Sequence, residues 1–206
     1  MHDWRRFNQR IPTLVTPPAS EPVTVDEAKA FMQVDGTADD SLISILIATA
    51  RRSAEEYTKR SFMEQTWRLA LDCFPGEPDG LPYQLAPTWT YDARNIELPR
   101  GPVSEIVSIK TFSTANVEST VDPASYELVD DRVMLNSGYS WPSDLREAGA
   151  VHVEFKAESD PLPEPIKTAI LMHATALYEN RACADMSAGV KAMLDPYRKV
   201  AAFGAW

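Results

Sequence analysis

Thr66-Trp67-Arg68-Leu69-Ala70-Leu71-Asp72-Cys73-Phe74 is where the chain changes period. Trp67, Leu69, Leu71 and Cys73 alternate with Arg68 and Asp72, which is the pattern of a half-buried strand. The residues just before it read differently. From about Asp40 to Arg60, the positions Leu42, Ile45, Leu46, Thr49, Ala50 and Tyr57 fall mostly at i, i+3, i+4 spacing, so this stretch is expected to be a long helix burying that stripe. Ile43 and Ile47 widen the stripe, which implies packing on more than one side.

Upstream, Thr24-Val25-Asp26-Glu27 is a capping box. It predicts a short helix to about Gln33 that buries Ala28, Phe31 and Met32, followed by a turn at Asp35-Gly36-Thr37. Residues 1–22 carry Pro12, Pro17, Pro18 and Pro22 and no period, so they read as an extended arm. Downstream of a Pro/Gly-rich excursion (Pro75 to Pro87), short strand-like runs follow at Asn95–Leu98, Val103–Phe112, Glu118–Val121, Tyr126–Val129, Arg132–Leu135 and Val151–Lys156. Turn clusters at that spacing indicate an antiparallel sheet, with a tight hairpin at Asp130-Asp131. Pro163-Glu164-Pro165 opens another helix, Ile166 to about Arg181. A short last helix, Val190 to Leu194, is expected to end at Asp195, because the residue before Pro196 is biased out of the α region.

The fold class is therefore α+β, a helical core formed by N- and C-terminal helices with an inserted antiparallel β-sheet region. Its expected divisions are an arm (1–22), N-terminal helices (23–62), a β insert (63–160), C-terminal helices (161–199) and an apolar tail (200–206).

Composition narrows the function. The 206 residues carry 30 acidic against 20 basic side chains, a net charge of −10. Such a surface repels phosphate, and no segregated basic patch offsets it, so a nucleic-acid clamp is not expected. The two cysteines, Cys73 and Cys183, form neither a disulfide framework nor a CxxC motif, which points to a reducing compartment. The first residues lack an apolar h-region and no segment is long enough to span a membrane, so neither a signal peptide nor membrane insertion is expected.

The search for chemistry is mostly negative. No HExxH, GxSxG, Walker loop or GxGxxG is present. His152-Val153-Glu154 resembles the start of a zinc-deaminase signature, but no PCxxC follows, and a strand pair explains it as well. His173 reads as a satisfied helical histidine. Asp35 to Asp40 fails EF-hand spacing, with Leu46 at the twelfth position. Glu55 and Glu56 are adjacent on a helix and point apart, so they form no glycosidase couple. Cys183 has no evident His partner. Catalytic residues, metal and cofactor are all expected to be absent.

Two aromatic groups suggest binding instead. Trp89, Tyr91, Tyr139 and Trp141 lie in expected loops, where they either stack on sugar or a protein partner, or plug the sheet edge. Trp4 and Phe7 at one end, and Phe203 and Trp206 at the other, sit on segments too irregular to bury them locally, which suggests docking on the chain's own domain or on a neighbour.

The order of several phrases carries a resemblance. Pro22-Val-Thr-Val-Asp-Glu-Ala-Lys29 leads to Val34-Asp-Gly-Thr-Ala-Asp-Asp-Ser-Leu-Ile43. Glu56 to Arg60, Gln65-Thr66-Trp67, Ile96 to Arg100 and Pro102-Val103 follow. Pro165 to Ile170, Tyr178 to Arg181 and Leu194 to Arg198 complete the set. Together they resemble the tailed-phage head–tail connector (adaptor, head-completion) family, also found in gene transfer agents, from about residue 12 to 199. The resemblance implies a non-enzymatic virion protein, made in the bacterial cytoplasm and placed in the neck. It further implies a homo-oligomeric ring of about twelve subunits between the portal and a stopper or tail-completion protein, with DNA passing through its channel without specific binding. Helices would form the ring wall. Val190, Met193, Leu194, Tyr197, Arg198, Phe203 and Trp206 would face the portal, and Trp4, Phe7, Arg51 and Glu55 would meet neighbouring subunits. A baseplate or carbohydrate-binding module is the alternative, and an unfamiliar enzyme built on His152 and Glu154 a more distant one.

Overall fold

The alternation at Trp67 becomes strand β2 (Gln65–Leu71), in which Trp67, Leu69 and Leu71 point inward and Arg68 outward. The computed structural model describes residues 12–74, 94–180 and 185–199. The chain divides into two units: a sheet unit, made of the chain up to Pro17 and Gln65–Ala157, and a helical unit, made of Pro18–Glu64 and the chain from Glu158 onward.

In the sheet unit, β1 (Thr13–Thr16), β2, β4 (Val103–Phe112), β5 (Glu118–Thr120) and β8 (Val151–Ala157) form one antiparallel sheet in the order β1-β2-β8-β4-β5. The residues of β1 fall within the stretch read as an arm. Four residues between prolines are too short to show a period, and pairing with β2 is what orders them. The central β8 buries Val151, Val153, Phe155 and Ala157 completely. A second sheet has the order β3-β7-β6, formed by β3 (Asn95–Glu97), β6 (Tyr126–Val129) and β7 (Arg132–Leu135). Its hairpin turns at Asp130-Asp131, with Asp130 in the left-handed region at φ 53°. Ile96, Val133 and Leu135 join the large sheet's inner face in one core with Phe74 and Ile109.

In the helical unit, the capping box closes on both arms. The Thr24 amide donates to Glu27 Oε2 at 2.7 Å, and the Glu27 amide donates to Thr24 Oγ1 at 3.2 Å. Helix α1 (Val25–Met32) ends at Gln33 in the left-handed conformation. Helices α2 (Asp40–Thr58) and α3 (Glu164–Asn180) run antiparallel. The Tyr178 hydroxyl, near the end of α3, donates to Asp39 at the start of α2, and at the other end Ser159 Oγ donates to the Ser61 carbonyl. Ile43, Ile47, Ala50 and Ala54 on α2 bury against Ile166, Ala169, Ile170 and Ala174 on α3, with Val190 and Leu194 of α4 (Ala188–Leu194) in the same core.

Three sequence expectations change here. Leu42 and Ile45 are 39% and 64% exposed, whereas Ile43 and Ile47 are buried. Leu42 to Ile47 is apolar nearly all round, so its period fits two faces, and the small Ala50 and Ala54 decide which one α3 can approach. Phe31 is 45% exposed and not part of the core; Ala28 alone on α1 is fully buried. Asp195 keeps α-helical angles and opens a 3-10 turn, Asp195–Tyr197, with Pro196 tolerated at its start. The α+β class holds, with helices from both ends of the chain in one core.

Candidate assembly surfaces

Arg51 and Glu55, expected at a subunit boundary, are turned inward. They are 8% and 3% exposed, and they form an ion pair at 2.6 Å between Arg51 Nη1 and Glu55 Oε2. Arg51 Nε and Nη2 also donate to the two oxygens of Glu21, at 2.6 and 3.3 Å. Burial opposes the guanidinium's charge, but Glu21 and Glu55 outweigh it and hold the group protonated. The other Glu55 oxygen accepts from the Phe62 amide at 2.8 Å. Arg51 thus ties residue 21 to helix α2, and Glu55 ties the helix to the segment after it, all within one chain.

The C-terminal set divides. Val190 and Leu194 are 2% and 0% exposed in the helical core, where they hold α4 in place. Met193 and Tyr197 pack partly against that core, and Arg198 is exposed over the Tyr57 ring at 5.2 Å. The same segment is fastened to the end of α2. Tyr57 donates to Asp195 Oδ1 at 2.5 Å, Arg60 Nε to the Tyr197 carbonyl at 2.6 Å, and the Lys199 amide to the Thr58 carbonyl at 2.8 Å. The hydrogen bond to Asp195, followed by burial and the aspartate's charge, raises the Tyr57 pKa above its ordinary value. Trp4, Phe7, Phe203 and Trp206 lie outside the described residues, as do Trp89, Tyr91 and Cys183.

The outer face of the large sheet is a ladder of opposite charges. Arg68 pairs with Glu154, Lys156 with Glu105 and Lys110 with Glu118, the last two at 3.0 and 2.9 Å. Such exposed pairs contribute little stability. They leave a polar face whose charges are locally cancelled. His152 lies on this face, edge-on to Phe112 at 5.0 Å. Burial, then the nearby Arg68 and Arg146, lower its pKa, while Glu154 is engaged by Arg68. Among the described residues no group of three or more His, Cys, Asp or Glu side chains could hold a metal ion. Trp141 stacks flat on the buried Phe74 at 4.4 Å, so it plugs the sheet core, whereas Tyr139 stays 50% exposed. No helix among the described residues is long and apolar enough to cross a membrane.

Sequence reasoning put Leu42 and Ile45 on the buried stripe of α2, and made no assignment for Met172 of α3; all three face outward. A helix segment apolar nearly all round, Leu42 to Ile47, is itself the clue.

Residues 22–127, just over half the chain, match the model of the family described as Phage gp6-like head-tail connector protein. Among solved structures the fold is similar to a chain from the neck of an empty GTA particle computed with C6 symmetry, with a TM-score of 0.72 and 22% identity over 95% of this chain and 99% of that one. It is also similar to a chain from the virion of a native gene transfer agent particle, with a TM-score of 0.68, 22% identity, and coverage of 95% and 99%. A third similarity is to a chain from the neck of a native GTA particle computed with C12 symmetry, with a TM-score of 0.64, 22% identity, and coverage of 94% and 98%. Comparison with curated proteins gave no match. On the family match, with its sheet and helices in the order the sequence predicts, the chain belongs to the phage gp6-like head-tail connector family.

Proposed function

We propose that the chain is a structural subunit of a ring in the neck of a tailed particle, seated between the portal and a stopper or tail-completion protein and continuing the DNA channel. The family match carries this reading. Support for a ring comes from the shared fold, over nearly the whole chain, with neck chains of particles computed with C6 and C12 symmetry, which fits a ring of about twelve copies. A net charge of −10 suits a conduit, since it repels the DNA backbone and lets packaged DNA slide. Portal contact falls to the C-terminal side, where Arg198 is exposed beside the fastened turn at Asp195–Tyr197.

The test is deletion of the gene in a particle-producing strain, with negative-stain imaging of the products. DNA-filled or leaking heads beside separate, normal tails are expected. Tailed particles that fail only to adsorb would move the chain to a receptor-binding role and leave the family describing the fold alone.

A further inference from the structure

Ile45 is 64% exposed in the second turn of a 19-residue helix, and Leu42, 39% exposed, lies one turn before it, so the two form an apolar strip and not a lone surface residue. Leu42, Ile45, Thr49 and Arg52 line the side of α2 opposite its buried residues. On α3, Met172 with Thr168 and Thr175 lies opposite that helix's own buried face. Because the two buried faces pack on each other, the two outer strips point away from one another, on opposite sides of the helix pair.

We propose that the outer strip of α2 in one copy packs against the outer strip of α3 in the next copy of this chain, forming the contact that repeats around the ring. The proposal rests on the ring reading above and deepens it. A head-to-tail closed ring needs two different patches on opposite sides of each subunit, which is the arrangement found here. Direction fits as well. Within one copy α2 and α3 are antiparallel, and neighbours in a many-membered ring differ by only a small rotation, so α2 of one copy meets α3 of the next close to antiparallel. Setting Ile45 against the neighbour's Met172 in that direction brings exposed Arg52 beside the neighbour's Glu164 at the start of α3. The Glu164 side chain is 81% exposed and so remains open to a second cation while paired with its own Lys167 at 3.0 Å. Apolar contact at the centre and opposite charge at one edge come from the same register.

The test uses particles from the deletion strain complemented with variants, in a chain whose Cys73 and Cys183 are replaced by serine. With Ile45→Cys and Met172→Cys together, oxidation of the particles should give a ladder of multiples of 22.9 kDa. Neither single variant should give one. A cross-link from Ile45→Cys alone would mean that two α2 faces meet, and would overturn the head-to-tail contact, as would a double variant that enters tailed particles and stays unlinked. Independently, Ile45→Asp should lower the yield of tailed particles by about tenfold or more while the purified chain unfolds as wild type, because a charge would be buried at every repeat of the contact. Full yield from Ile45→Asp in a strain whose deletion does abolish tailed particles overturns the interface alone. Tailed particles from the deletion itself would remove the ring reading and this contact with it.

Discussion

The guanidinium of Arg51 sits 2.6 Å from the carboxylate of Glu55 one helical turn away, with its other edge held by Glu21, thirty residues earlier in sequence. Buried charge in this geometry is far more sensitive to losing one partner than to losing both. Glu21 is partly solvated, with 27% side-chain exposure, so Glu55 (4%) dominates the effect.

Replacing Arg51 by alanine should therefore destabilise the chain by about 3 kcal/mol, read as the shift in the urea unfolding midpoint. The double variant Arg51→Met, Glu55→Gln should lose less than Arg51→Ala alone. Glutamine keeps an acceptor for the Phe62 amide and removes the orphaned charge. A double variant less stable than the single would show that the pair stabilises beyond its own compensation.

Two glycines should respond in opposite senses. A Cβ at Gly101 would sit 2.2 Å from Asp131 Oδ2, within a carboxylate that accepts from the Val103 amide at 2.9 Å. Gly101→Ala should cost about 1–3 kcal/mol. At Gly189, within α4, the nearest atom would be 3.9 Å away, and Gly189→Ala should stabilise by about 0.5–1 kcal/mol through helix propensity. Thermal unfolding of both variants checks the pair.

His173 is 4% exposed on α3, its buried Nδ1 has no hydrogen-bond partner among the described residues, and burial lowers its pKa below the ordinary 6.5. The unfolded chain therefore takes up this proton at higher pH than the folded one. Stability should fall as pH drops through about 6.5 toward the folded value, and be unaffected by this group above that range. In His173→Leu the slope of stability against pH over that window should be shallower than in wild type. Identical slopes in urea titrations would mean that the histidine is not the group taking up the proton.

Tyr57→Phe removes the hydrogen bond to Asp195 and leaves the ring under Arg198. Global unfolding should hardly change. Amide exchange at Lys199, whose N–H donates to the Thr58 carbonyl, should quicken as the C-terminal segment loosens from α2. Unchanged exchange at Lys199 would assign the fastening to Arg60 and the backbone instead.

By itself the sequence determined the features that depend on neighbours along the chain. The capping box at Thr24, the alternation through Trp67 and Leu69, the Asp130-Asp131 hairpin and the proline-marked start of α3 are local physics, and all stand where the residues place them. It also showed helices at both ends around a sheet, and the ordered phrases that resemble the connector family. Only the tertiary structure decided which way ambiguous side chains turn. Leu42 and Ile43 are equally apolar neighbours, and α3 packing on the alanine side of α2 buries one and leaves the other facing out. Arg51 and Glu55 read as surface charges until residue 21 and the Phe62 amide, distant or unremarkable in sequence, close around them. Val190 and Leu194 likewise belong to the core because α2 and α3 offer them a groove, whereas periodicity assigns a face its polarity but not its partner.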